Sequence, residues 1–222
     1  ERVRGAFAGM GLSMPGKRIV CNLAPADLPK EGSHYDLPIA LAVMAALGVI
    51  PPDALNGWPA IGELGLDGQI APVAGVEIAT ARAGFYKHER EDLLIMRFAE
   101  GTSSAGVFTR QGVGSAPVDW CKRQLTTSKG DDVRALVVNA GCANSFTGKP
   151  GADAVRRVAT AVGKRFDCRQ RDVMMASTGV IGVLLDDAKI TSKLPEIEAK
   201  LHADGWAEAA GAIMTTDTFA KG

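Results

Sequence analysis

The sequence predicts a mixed α/β fold, and three observations predict it. Arg134–Asn139 is a nearly unbroken apolar run, which is typical of a strand buried on both faces. Apolar residues spaced by three, four and four place one buried face on a helix over Gly151–Phe166: Val155, Val158, Val162 and Phe166. Strand-like and helix-like segments are mixed along the rest of the chain, which favours an α/β or α+β arrangement.

The residue pattern in the first third of the chain predicts four secondary-structure elements. They are a helix end at residues 1–10, a strand at Arg18–Leu23, a helix from Asp36 to Leu47 and a hairpin at Ile61–Ile70. Asp36 is placed to cap the second helix, and Pro38 lies in its first turn, where proline is tolerated. Apolar residues cover all sides of this helix, so we expect it to be buried.

The remainder of the chain predicts further strands and helices in alternation. Strands are expected at Asp92–Phe98, Ala105–Thr109 and Val173–Ala176, the last ending in Ser177-Thr178-Gly179. A short helix is expected at Pro117–Leu125, followed by a polar loop at Thr126–Asp132. Two more helices are expected at about Asp187–Leu201 and Asp204–Met214.

Composition excludes several broad classes. The 222 residues allow one large domain or two small ones, and 46% hydrophobic content is enough for packed cores. Lys+Arg and Asp+Glu both total 25, so nucleic acid and acidic membranes are not expected as general partners. The longest apolar run, Leu37–Ile50, contains Pro38 and Gly48 and is too short to span a bilayer.

The cysteines and the chain start bear on where this protein works. Cys21, Cys121, Cys142 and Cys168 form no CxxC pair, so we expect free thiols in a reducing cytoplasm rather than a disulfide framework. Residues 1–20 lack the layout of a signal peptide. The chain opens on Glu1 without a methionine, which suggests a fragment.

Two short features point to chemistry only weakly. Gly11–Lys17 matches a phosphate-binding loop up to Lys17, but Arg18 stands where Ser or Thr would ligate Mg²⁺, and the expected helix-then-strand context is reversed. A chance match is therefore favoured. His34 has no His or Cys at ligand spacing, so a surface loop histidine is favoured over a metal or acid-base residue.

Residues 1–76 carry three motifs in order: Asn22–Ser33, Asp36–Leu41 and Gly62–Gly68. Together they resemble the N-terminal domain of the ComM family of magnesium-chelatase-like ATPases. The resemblance implies an incomplete βαβ segment similar in fold to the Lon protease proteolytic domain. Neither the ATPase module nor a Ser-Lys catalytic pair is evident, so this segment is expected to be a scaffold.

Residues from about 72 onward carry a second set of motifs, and the predicted second domain covers residues 77–222. The set includes Pro72–Val76, Gly106–Arg110, Asn139–Asn144, Ala176–Gly182 and Met214–Thr218. These motifs resemble the ornithine/glutamate N-acetyltransferases, the ArgJ family, and in particular the α-chain part of that α/β enzyme.

The second resemblance implies a mechanism and a set of site residues. Such enzymes cut their own chain before a threonine, which then carries acetyl from N-acetylornithine to glutamate, with acetyl-CoA as a further possible donor. The resemblance assigns Thr178 and Gly179 to an oxyanion hole, and Gly179 lacks a Cβ that would block close approach. It assigns Thr215 to substrate contact. A whole enzyme of this kind is expected to use no metal or bound cofactor.

Other interpretations of the same residues stay open. Ser177-Thr178-Gly179 alone would be an ordinary turn, and Thr215 could be a polar helix end. Asn139 and Asn144 are equally consistent with site-shaping amides and with turn-forming asparagines.

The match departs from the family in two ways. The motifs for a substrate lysine and for the nucleophilic threonine lie beyond Gly222, and Lys221-Gly222 falls too early to be the former. The threonine would be the first residue of the missing β chain, so the 222 residues alone are predicted to be inactive. At the other end, the ComM-like segment replaces the family's own first residues.

The two resemblances meet at Pro72–Val76, a short string that both families share. No linker composition marks this boundary. The hypothesis is a chimera joined where the sequences coincide. A non-enzymatic ComM-like module that assists a DNA-acting ATPase, and an unstable product without function, are the alternatives.

Overall fold

The computed structural model describes residues 1–16, 18–21, 35–51, 53, 62–67, 75–108 and 114–217. The chain divides into two compact units, Glu1–Val73 and Ala74–Gly222. Predictions at Lys17, His34, Asn22–Ser33, residues 72–74 and Lys221-Gly222 lie outside the described residues, as do residues 61 and 68–70 of the predicted hairpin, with the turn residue Gly68. No described helix is long and apolar enough to cross a membrane.

The first unit contributes two described helices, α1 (Arg2–Gly9) and α2 (Asp36–Ala46). They share a small core with Leu64, formed by Ala6, Phe7, Ala40 and Val43. Arg2 ties the two helices together, because its Nε donates to Asp36 Oδ2 at 2.6 Å and its guanidinium also pairs with Glu63. The predicted helix is confirmed as α2, but the capping role expected for Asp36 is wrong, because Asp36 is the first helical residue and Tyr35 occupies the N-cap position.

The second unit is built on a four-stranded sheet with the order β1-β2-β3-β4. The strands are β1 (Val76–Ala81), β2 (Leu93–Phe98), β3 (Ala135–Cys142) and β4 (Val173–Val180). The β1–β2 and β2–β3 pairs are antiparallel, whereas the β3–β4 pair is parallel. A parallel pair needs a crossover, and the long amphipathic helix between β3 and β4 provides it. The mixed α/β fold class is confirmed.

Five helices surround the sheet: α3 (Ala116–Ser128), α4 (Gly148–Arg165), α5 (Asp187–Thr191), α6 (Leu194–Lys200) and α7 (Trp206–Ala212). The predicted stripe of α4 is confirmed, since Val155, Val158 and Val162 are fully buried. Together with residues of α3, α5, α6 and the sheet, they form the main core. The opposite face of the sheet packs Ile78 and Leu94 against Ala209 and Ala212 of α7.

Several element predictions are wrong, for identifiable reasons. Residues 18–21 and 105–108 form no strand, and Val107 is fully exposed, so its apolar side chain meets no core. The single helix expected at Asp187–Leu201 is two helices, because Pro195 lacks the N–H that would continue the hydrogen-bond ladder from α5.

Two helices also differ from prediction in extent or burial. Helix α3 runs three residues further than Leu125, to Ser128, and ends where Lys129 takes a left-handed C-cap conformation with φ +56°. Helix α2 buries only Ala40 and Val43 within the part of the chain that is described, so its expected full burial is wrong.

Candidate functional site

Two glycines face each other at the carboxyl end of the parallel strands. Gly141 of β3 pairs with Gly179 of β4, and both have positive φ, +102° and +126°. A Cβ on Gly179 would lie 2.4 Å from the Gly141 carbonyl carbon and 2.7 Å from Cys142 N. Only glycine fits here, because the two backbones approach too closely for any side chain.

Backbone alternation sets the direction of the Gly179 N–H. Met175 exchanges hydrogen bonds with Cys121 of α3 through both its N–H and its C=O, so its backbone groups point away from β3. Val180 C=O accepts from Ala143 N at 2.9 Å, so the residue after Gly179 points toward β3. Successive residues of a strand point to opposite edges, which directs Gly179 N–H to the edge of β4 away from β3.

The register of the sheet decides which face Thr178 occupies relative to α7. Thr178 pairs with Ala140, which follows Val138 by two residues and therefore shares its face. Val138 packs against the small core that includes Ala209 and Ala212 of α7. Thr215 follows the end of α7 by three residues. Thr178 therefore lies on the face of the sheet that α7 covers, and Thr215 follows α7 in the chain.

Asn139 holds the ends of β3 and β4 in register. It is fully buried, its Nδ2 donates to Cys142 O at 2.9 Å, and its Oδ1 accepts from Ser177 Oγ at 2.6 Å. With both ends of its amide satisfied by the two strands, Asn139 holds β4 against β3 two residues before Gly179.

Asn144 has a different structural role, at the start of α4. It adopts a left-handed conformation with φ +48° and is fully buried. Its Nδ2 donates to Gly151 O at 3.2 Å, and its Oδ1 accepts from Thr147 Oγ1 at 2.8 Å. Asn144 is therefore a turn-forming asparagine of the kind that tolerates this conformation.

Asp92 organises the segment that packs against Gly141, and sequence reasoning gave it no role. It is fully buried and accepts hydrogen bonds from the backbone N–H groups of Ala83, Phe85 and Tyr86 at 2.6, 2.6 and 3.2 Å. A Cβ on Gly141 would lie 2.8 Å from Phe85 Cβ. One sequence signal could have identified Asp92: it directly precedes an apolar strand, and a carboxylate buried there needs several hydrogen-bond donors.

The thiols near the site are poor nucleophiles. Burial raises the pKa of Cys121 and of Cys142, so both remain protonated at neutral pH. Cys142 Sγ donates to Val183 O at 3.3 Å, and all four cysteines are free, as predicted. Among the described residues no group of three or more His, Cys, Asp or Glu side chains is arranged to hold a metal ion.

An open cavity of about 560 Å³ lies between α3 and the start of α4. Its lining includes Trp120, Arg123 and Lys149, but Arg123 lies over the Trp120 ring and Lys149 pairs with Asp153 at 2.6 Å. Thr178, Gly179 and Thr215 do not line it. The glycine pair and this cavity are therefore separate features.

Comparison with known families gives two matches, one for each part of the chain. A model described as the ArgJ family matches residues 77–222, about two thirds of the chain. A model described as subunit ChlI of Mg-chelatase matches residues 1–96. The two matched ranges overlap over residues 77–96.

Curated relatives agree with the first match. The arginine biosynthesis bifunctional protein ArgJ of Caulobacter vibrioides is 85% identical over 153 residues, which cover 69% of this chain and 38% of that protein. The ArgJ protein of Gluconobacter oxydans is 47% identical over 152 residues, covering 68% of this chain and 35% of that protein. The chain therefore spans less than two fifths of the length of these relatives.

Solved structures agree as well. Ornithine acetyltransferase from Mycobacterium tuberculosis, determined as a complex with ornithine, superposes with a TM-score of 0.62 at 35% identity. The match covers 67% of this chain and 79% of that one. The ArgJ structure from Bacillus halodurans gives a TM-score of 0.60 at 31% identity, covering 65% and 74%. On the sequence match, the relatives and the shared fold, the chain belongs to the ArgJ family.

Proposed function

We propose that residues 75–217 form the oxyanion-binding half of a site that transfers acetyl from N-acetylornithine to glutamate. The observation that carries the proposal is the end of β4. There the Gly179 N–H is directed away from β3, next to Thr178, on a backbone that the Gly141 pairing holds rigidly. Hydrogen-bond donors fixed before the reaction stabilise an oxyanion best, since they need no reorganisation in the transition state.

The reaction proceeds through an acetylated enzyme. A threonine hydroxyl attacks the acetyl carbonyl carbon, and the negative charge on the resulting tetrahedral intermediate collects on the former carbonyl oxygen. Thr178 and Gly179 donate to that oxygen. The C–N bond breaks, ornithine leaves as the amine with the proton from the hydroxyl, and the acetyl ester remains. Glutamate's amine then attacks the ester through the same oxyanion, which restores the threonine.

Thr215 is proposed to contact the substrate. It follows the end of α7 by three residues, and α7 packs on the face of the sheet that carries Thr178, which supports this assignment. The Mycobacterium tuberculosis relative was determined with ornithine bound, so an amine of that class is the ligand expected here. A threonine hydroxyl suits this role because it can both donate and accept hydrogen bonds.

The nucleophile is proposed to come from outside these 222 residues. In the family resemblance it is the first residue of a β chain released by self-cleavage. The three thiols of the second unit all have pKa values raised by burial, so none of them replaces it as a thiolate. We therefore expect the 222-residue chain alone to transfer no acetyl group. Measurable turnover of N-acetylornithine by the purified chain would contradict this expectation.

A graft tests the substrate assignment. Residues 77–222 replace the matching segment of the Caulobacter vibrioides ArgJ, to which this chain is 85% identical. The grafted enzyme is expected to consume N-acetylornithine and glutamate in equal amounts, and a parallel assay with acetyl-CoA decides whether that donor is also used. A folded graft that uses neither donor would refute the proposed function.

A second candidate concerns the first unit. The match of residues 1–96 to the ChlI subunit favours a scaffold segment that works beside an ATPase module rather than an enzyme. Pull-down of a ComM-type ATPase module by residues 1–76, compared with a variant in which Arg2→Met removes the pairing to Asp36, would test it. No enrichment over the variant would exclude this role.

The domain boundary near residue 76 is also a proposal, and we infer that the two parts were joined at the shared Pro72–Val76 string. Sequencing single molecules of the source DNA through this join is the test. One uninterrupted reading frame in related genomes would contradict a chimeric origin, whereas separate continuations into a ComM-type and an ArgJ-type gene would support it.

A further inference from the structure

We propose that Arg90 is a positioning residue for the acetyl-transfer site, holding the end of α7 so that Thr215 lies next to Thr178 and Gly179. This inference rests on the proposed function. Arg90 touches neither threonine. It acts through the backbone on which Thr215 is carried and through Tyr86, which packs against Gly141.

Arg90 contacts the carboxyl end of α7. Nη2 of Arg90 donates to three backbone oxygens, Gly211 O at 3.0 Å, Ala212 O at 3.3 Å and Met214 O at 2.8 Å. The last carbonyls of a helix have no partners within the helix, and a cation there also interacts favourably with the helix dipole. Met214 is bonded covalently to Thr215, so the guanidinium fixes where Thr215 begins.

Arg90 also contacts Tyr86, which packs against the glycine pair. The Arg90 guanidinium lies over the Tyr86 ring with 4.6 Å between its central carbon and the ring centroid. A Cβ on Gly141 would lie 3.2 Å from Tyr86 Cε2, so the ring packs against the β3 residue that pairs with Gly179. Tyr86 itself is fixed because its N–H donates to buried Asp92. The Arg90 side chain thus contacts both the backbone that leads to Thr215 and the ring that packs against the Gly141–Gly179 pair.

A capping arginine with a purely structural role would stabilise α7 and nothing else. Arg90 does more than cap α7, because the same guanidinium contacts both the Met214 carbonyl and the Tyr86 ring that packs on Gly141. Arginine suits this double contact, since its planar group donates in several directions and stacks on an aromatic face at once. Lysine keeps the charge and can donate to the carbonyls, but it cannot keep the stacking.

Backbone amide exchange in the 222-residue chain tests the positioning directly. Arg90→Met is expected to raise the exchange rates of the Ile213 and Met214 amides about tenfold and to shift the Thr215 and Gly179 resonances. Arg90→Lys is expected to recover part of the protection. Arg82→Met is the matched control, because Arg82 lies on the same segment and pairs with exposed Glu89 rather than with α7. Exchange rates in Arg90→Met within twofold of those in Arg82→Met would overturn the proposal.

The grafted Caulobacter enzyme tests the consequence for catalysis. Arg90→Met is expected to lower kcat by roughly ten- to a hundredfold with little change in KM, because a misplaced group costs transition-state stabilisation. Unchanged kcat in Arg90→Met would overturn the positioning role even if the variant is less stable. An inactive unmutated graft would instead refute the proposed function, and amide exchange would still decide whether Arg90 holds Thr215.

Discussion

At the scale of single residues, the site depends on a backbone shape that few residues can adopt. Gly179 combines a positive φ with a neighbour so close that a methyl group has no room. Thr178 could be identified from sequence only through the family motif, because a threonine beside a glycine is ordinary in turns. The structure adds what the motif lacked: the pairing of Gly179 with Gly141 and the buried amide of Asn139 behind them.

Gly179→Ala is expected to destabilise the chain by about 2–4 kcal/mol, because it adds both backbone strain and a clash with Gly141. Gly182→Ala is the matched control, since Gly182 also has positive φ, +81°, but a Cβ there meets nothing within 4 Å. That variant should cost only about 1–2 kcal/mol of strain. Urea unfolding measures both, and equal losses would contradict the close pairing of the two strands.

Asp92→Asn is expected to destabilise the chain by about 1–3 kcal/mol, since one carboxylate oxygen becomes an NH₂ that faces backbone donors. The amides of Ala83, Phe85 and Tyr86 should then exchange faster, while those of α6 remain protected. Amide exchange followed by NMR distinguishes the two regions. Unchanged protection at residues 83–86 would show that the three hydrogen bonds do not hold this segment.

At the scale of elements, long periodic segments were predictable and segments defined by tertiary contacts were not. Helix α4 was predicted because its apolar stripe is unambiguous. Strand β1 was not predicted, since Val76–Ala81 mixes Glu77 and Thr80 with small residues, and only pairing with β2 makes it a strand. The Arg90 contacts with α7 join residues more than 120 positions apart, and no local pattern indicates such a contact.

Helix α6 carries a pH-dependent contribution to stability. Hydrogen bonds from Lys200 and Lys193 lower the pKa of Glu196 from 4.5 to about 2. Because the folded-state pKa is depressed, the contribution is fully present above about pH 4.5 and is lost as the pH falls toward 2. The Glu196 side chain is partly exposed, at 37%, and solvent screens the pair, so we expect less than about 1 kcal/mol, and less still in high salt.

Urea unfolding of the unmutated chain and of Glu196→Gln across this pH range provides the measurement. The difference in unfolding free energy between the two should be constant near neutral pH and should vanish as the pH approaches 2. A difference that is independent of pH would contradict the assignment of this ion pair.

At the scale of the whole molecule, the second unit contains all the candidate site residues and its own core. It also exposes a run of apolar side chains at the end of β4 and just after it, with Val180, Ile181, Val183 and Leu184 at least half exposed. A run of this kind favours association or aggregation when nothing covers it. The composition and motifs predicted the class and the family, whereas the arrangement of the site needed the sheet register.

Residues 75–222 are expected to fold without the first unit, because the main core lies within them. Their amide spectrum should match the corresponding signals of the 222-residue chain, and heating should give one cooperative transition. Dye binding without a transition would contradict this expectation and would favour the view that the chain is an unstable product.

The central claim is that Thr178 and Gly179 stabilise the oxyanion of acetyl transfer, and one kinetic comparison tests it most directly. The Caulobacter ArgJ carrying residues 77–222 is assayed for transfer from N-acetylornithine to glutamate, unmutated and as Thr178→Val. Loss of an oxyanion donor should lower kcat by about 10²–10³-fold with KM nearly unchanged. A Thr178→Val enzyme that folds and keeps the unmutated kcat would contradict the claim.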